Sequence, residues 1–101
     1  MRRIVWSQSA LDDFDEAIGT IARDDSRAAR SVADRIDAAI QSLAATPTGR
    51  RGRVPGTYEK VVHGLPYIVA YALRTHPSGD DRLIVLRVIH GARDWPEGRW
   101  P

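Results

Sequence analysis

The sequence contains no cysteine, which excludes disulfides and thiolate metal sites outright. It contains no apolar stretch of membrane-spanning length. The opening Met1-Arg2-Arg3-Ile4-Val5-Trp6 turns polar at Ser7 and so lacks the apolar run of a secretory signal. These absences lead to the expectation of a cytoplasmic protein without membrane association. No metal-ligand spacing, nucleophile elbow, phosphate loop or dinucleotide fingerprint is present, so neither a cofactor nor a metal is expected. There is no internal repeat or low-complexity segment, and 101 residues support one compact domain spanning 1–101. Lysine is almost missing: of the 15 Lys and Arg residues, Lys60 alone is a lysine.

What is present is arginine, and its distribution matters more than the net charge of +2. Leu11–Asp25 holds six acids and Arg23, whereas Gly49–His63 holds Arg50, Arg51, Arg53 and Lys60 against Glu59. Arginine suits bidentate recognition of phosphate or carboxylate. Codon usage in a GC-rich genome explains the same bias.

Arg2–Trp6 reads as a short strand. Ser7 or Ser9 then supplies an N-cap, and Asp12, Asp13, Asp15 and Glu16 suit the positive end of the helix that follows. Leu11, Phe14, Ile18 and Ile21 form its apolar stripe. Ser26 is the expected cap of a second helix over 27–45, striped by Val32, Ile36, Ile40 and Leu43. From Thr57 the period changes. Thr57–Val62, Tyr67–Leu73 and Leu83–Ile89 read as strands, joined by turns at Gly64-Leu65-Pro66 and Thr75–Asp81. The expected class is α+β, of order β-α-α-β-β-β: a helical hairpin packed on a small, mainly antiparallel four-stranded sheet.

Two segments carry candidate chemistry. The loop Arg50-Arg51-Gly52-Arg53 fits a phosphate backbone or an acidic protein surface, or is simply a solvated loop. His90, Arg93 and Trp95 follow the last strand. There a histidine serves as general acid or base, an arginine steadies phosphate charge and a tryptophan stacks on a base, or His90 caps the strand and Trp95 seals the core edge. His63 and His76 sit at turns, and Tyr58, Tyr67 and Tyr71 read as core residues with hydroxyls at the rim.

Trp6-Ser7 with Ala10, Leu11, Asp12 and Ile18, the run Gly52–Val62 leading into Leu65–Tyr71, and Ile84–Pro96 resemble, in order and spacing, the RelE/ParE toxin superfamily of type II toxin–antitoxin systems, most closely its ParE-like, plasmid-stabilisation branch. The resemblance covers nearly the whole chain. It implies a growth-arresting toxin held by a cognate ParD- or RelB-like antitoxin in a hetero-oligomer, with either DNA gyrase or the ribosome and its mRNA as target. For an mRNA endoribonuclease the matching positions would make His90, Arg93 and Lys60 catalytic. Glu59, Val61 and Ile68, however, fall where such nucleases carry cations, which favours non-enzymatic gyrase inhibition. On that reading Arg50, Arg51, Arg53, Arg93 and Trp95 are contact residues for target or antitoxin, with Arg51 and Arg53 the first candidates for an acidic antitoxin segment.

Overall fold

The computed structural model describes all 101 residues. Strand β1 (Arg3–Trp6) leads into helices α1 (Gln8–Asp24) and α2 (Ser26–Ala45). Strands β2 (Arg50–Arg51), β3 (Tyr58–Val61), β4 (Tyr67–Thr75) and β5 (Asp81–His90) follow. The sheet order is β1-β5-β4-β3-β2, with β1 parallel to β5 and every other pairing antiparallel. The expected four strands are therefore five. Arg50 and Arg51, expected in a loop, pair with Glu59 and Tyr58.

Ser7 caps α1, its Oγ accepting from the Ala10 N–H at 3.0 Å. The cap of α2 is Asp25 and not Ser26. Asp25 Oδ1 accepts from the backbone N–H of Arg27 and Ala28, satisfying two donors that no helical carbonyl reaches. Asp25 also terminates α1, so a single extended residue turns the hairpin. The acids expected to favour the α1 dipole begin only after its first turn, where that effect has faded.

Ile36, Ile40 and Leu43 of α2 and Ala10 of α1 meet Val69, Tyr71, Leu83, Val85 and Val88 in the core. A β-bulge makes this packing work. Tyr71 pairs with Val85 but Ala70 with Arg87, so Leu86 is the extra residue on β5. Side chains alternate faces along a strand, and the inserted residue resets the alternation. Leu83, Val85 and Val88 can then all face the helices.

Because β1 ends opposite Val85, the second half of β5 is left with a free edge. Helix α1 covers it. Ser7 Oγ donates to the Leu86 carbonyl at 2.9 Å, and Asp13 Oδ2 accepts from the Val88 N–H at 2.9 Å. An exposed strand edge is a template for unwanted pairing, and the cap residue and one side chain of α1 blunt this one.

Candidate functional site

The arginine-rich segment is organised by one carboxylate. Gly49, at φ +115°, and Gly52 flank β2, and both lie against neighbouring chain with no room for a Cβ. This brings Arg50 and Arg53 onto Glu59, whose side chain is 2% exposed. Its Oε2 accepts from the Arg53 backbone N–H (2.9 Å), Arg53 Nε (3.4 Å) and Trp100 Nε1 (3.1 Å), while Oε1 accepts from Arg50 Nη2 (3.3 Å). Burial pushes the carboxyl pKa up. The Arg53 N–H, the Trp100 indole, Arg50 and the Arg53 charge pull it down further, leaving it below its ordinary value.

The segment after β5 folds back to this point. Glu59, Ala70 and Arg87 lie in register across β3, β4 and β5. Trp100 bonds Glu59 at one end of that row, and the Pro101 carbonyl accepts from Arg87 Nη1 (2.8 Å) at the other. Ala70 between them is fully buried. Arg87 also holds Asp13 through Nε (2.7 Å) and Nη2 (3.1 Å), which fixes the chain end to α1. The Arg53 guanidinium lies 3.9 Å from the centre of the Trp95 ring, a cation–π contact.

The proposed contact residues thus divide. Arg53 and Trp95 are engaged with each other, and Arg50 is tethered to Glu59 with its side chain 59% exposed. Arg51 is exposed and has no carboxylate partner. His90 and Arg93 line one open pocket of about 130 Å³ with Asp13, Glu16, Thr20 and Tyr67. Lys60 lies apart, in a groove between α2 and β3 with Ala39, Ser42, Val61 and His63.

His90 packs edge-on against Tyr67, and its Nδ1 accepts from the Ala92 N–H at 3.1 Å. That contact places the ring proton on Nε2. Tyr71 is buried and donates its hydroxyl to the Thr48 carbonyl, and burial with neighbouring Tyr58 raises its pKa. Tyr58 stacks on it with ring centres 5.5 Å apart. No group of three or more histidine and acidic side chains is placed to hold a metal.

Sequence reasoning missed Glu59, Asp13 and Trp100. The available signal was an acid inside a short strand, flanked by cations within ten residues; Asp13 was visible only as one of four acids near a helix start.

Residues 4–95 match the family model described as "ParE toxin of type II toxin-antitoxin system, parDE". The chain belongs to the ParE toxin family. A relative from Sinorhizobium fredii (strain NBRC 101917 / NGR234), named "Putative toxin Y4kP", is 36% identical over 97 residues, covering 95% of each chain. The solved structure titled "Chromosomal ParDE TA system from P. aeruginosa" superposes with a TM-score of 0.73 at 18% identity, over 89% of this chain and 96% of that one. The fold is therefore shared well beyond recognisable sequence. Glu59, Asp13 and the tail anchors at Arg87 and Trp100 are the contacts that shape the outer sheet face of this ParE-family toxin. No helix is long and apolar enough to cross a membrane.

Proposed function

We propose that this chain is a cytoplasmic ParE-type toxin that arrests growth by binding and inhibiting DNA gyrase, without enzymatic activity, and that a cognate antitoxin neutralises it. The observation that carries this reading is the dispersal of the nuclease candidates. Ribonuclease chemistry through a 2′-hydroxyl needs a proton acceptor and cations converging on one phosphate. Here Lys60 lines a different groove from His90 and Arg93, and His90 Nδ1 is occupied by a backbone donor. Where cations would be needed, Glu59 is a buried anion and Ile68 is aliphatic. Exposed Arg51, partly exposed Arg50 and pocket-lining Arg93 remain the surface contacts, and an acidic antitoxin segment suits them by charge.

The test is a paired assay on purified toxin. One arm follows supercoiling by purified gyrase and the other follows mRNA integrity on programmed ribosomes. Loss of supercoiling with intact mRNA supports the proposal. Codon-phased cleavage with unaffected gyrase overturns it and returns His90, Arg93 and Lys60 to catalytic roles. His90→Gln, which removes the imidazole, is expected to keep most toxicity, whereas loss of a general acid or base would cost roughly 10²–10⁴-fold in rate.

A further inference from the structure

The outer face of the sheet carries a second row of arginines, unrelated to the Glu59 cluster. Arg3 of β1 pairs in register with Arg82 of β5, and Arg82 pairs with Arg74 of β4. Directly paired residues point to the same side of a sheet. Arg74 shares its side with Ala72 and Ala70, two and four residues back, which is the side opposite the core-facing Val69 and Tyr71 and so away from the helices. Arg3 and Arg74 are exposed and Arg82 is half-buried. The three ion pairs of the molecule are Arg50–Glu59, Arg53–Glu59 and Arg87–Asp13, so none of these three guanidinium groups has a carboxylate within 4 Å. The nearest acid in sequence, Asp81, is bonded instead to the Thr75 hydroxyl at 3.1 Å. Arg82 Nε is buried without a hydrogen-bond partner.

Like charges opposed across strands repel, so an uncompensated row of three is an arrangement that an anion would relieve. We infer that Arg3, Arg82 and Arg74 form a contact site for the phosphate backbone of duplex DNA. Adjacent strands lie about 4.8 Å apart, so the row spans about 10 Å at its backbone, and the long arginine stems extend its reach to neighbouring phosphates of one DNA strand. The surroundings favour nucleic acid over an acidic protein. The floor beside the row is Val5, Ile84 and Ala72, aliphatic side chains without the aromatic anchors that dominate protein interfaces. Nor does it offer Asn, Gln or aromatic groups to read bases, so the contact is to backbone and independent of sequence. Exposed Asp12, Asp15 and Glu16 lie on α1, whose Asp13 is held at Arg87 and Val88 towards the other end of β5 from Arg82, and this polarity orients a polyanion towards the arginine row. The site stands independently of gyrase inhibition: a chain without effect on gyrase would still bind the duplex.

The experiment is fluorescence anisotropy of a labelled 20-bp duplex with the full chain between 20 and 200 mM salt. Three phosphate contacts give a slope of log K against log salt of about −2.7. The variant Arg3→Gln/Arg74→Gln/Arg82→Gln, checked for folding by circular dichroism, is expected to lose at least tenfold in affinity and most of that slope. Should the triple variant fail to fold, Arg74→Gln alone, at an exposed position, is expected to reduce the slope by about one. Arg27→Gln/Arg30→Gln on α2 should leave binding unchanged. Absence of duplex binding at 20 mM salt overturns the inference, as does an unaltered slope in both the triple and Arg74→Gln variants. It also fails if these variants lose affinity for poly-glutamate while keeping duplex affinity, since the occupant would then be an acidic polypeptide.

Discussion

Two rows of side chains cross the outer face of this sheet, about 13 Å apart along β4, and both are built from arginine. In the row Arg50–Glu59–Ala70–Arg87 each guanidinium has a carboxylate, from Glu59 or from Asp13. In the row Arg3–Arg82–Arg74 none does. The first row is structural: it fastens the arginine-rich segment and the C-terminal tail to the sheet. The second contributes charge to the surface and little cohesion. An arginine count of 14 cannot separate the two uses, because what separates them is the placement of two carboxylates that come from distant parts of the chain.

The largest expected loss follows removal of Glu59. Glu59→Ala strands two arginines, a backbone N–H and an indole N–H around an apolar gap. Breaking a buried charge pair from one side costs about 3 kcal/mol or more, a large part of the stability of a small domain. Urea denaturation should show it, and Trp100 should become quenchable by iodide well below the unfolding midpoint. A loss under 1 kcal/mol would mean that the cluster is solvated after all. Asp13→Asn should come next. It weakens the Arg87 pair and leaves one acceptor for the Val88 N–H, a loss of about 2 kcal/mol for a charged hydrogen-bond acceptor. Its signature is faster hydrogen exchange at Val88 than elsewhere in β5.

A pH titration sharpens the same contrast. The Glu59 carboxyl titrates below 4.5 in the folded chain, so the unfolded chain takes up the proton first. The stability contributed by its charge is complete above about pH 4.5 and is lost as the pH falls through the depressed folded value. Melting temperatures between pH 7 and pH 3 should therefore fall more steeply for the wild type than for Glu59→Gln, which has nothing to titrate at that position. Parallel curves would remove the charge of Glu59 from the account.

Much of this architecture is readable in the chain, and the unread parts share a cause. Both helices follow from local periodicity and from Ser7, and β3, β4 and β5 from apolar runs between turns, because each signal lies within a few residues of the element it defines. The short strand β2 is defined by partners seven and nine residues on at positions already assigned elsewhere, and the extra residue at Leu86 shows only once β5 is paired with β4. Asp25 outranks Ser26 as cap because it can serve both ends of the hairpin turn. Of the candidate site residues, His90 and Arg93 line one pocket and Lys60 lines another. Glu59 reads as an isolated acid in a basic stretch, and its burial depends on Trp100, 41 residues away.

The smallest expected effect is the most discriminating. Arg82→Gln removes the middle charge of the unpaired row, where it faces Arg3 on one side and Arg74 on the other. A structural arginine lost from a strand should destabilise. An unpaired one flanked by like charges should not, because relief of cross-strand repulsion contributes about 0.2–1 kcal/mol in favour of the variant. Glutamine keeps most of the aliphatic stem that covers the sheet, so packing changes little. The expected outcome is a urea midpoint equal to or slightly above that of the wild type at low salt, with the difference shrinking as salt screens the repulsion. A loss above 1 kcal/mol, insensitive to salt, would show that Arg82 is held by contacts of its own, and the division between the two rows would fail at its central residue.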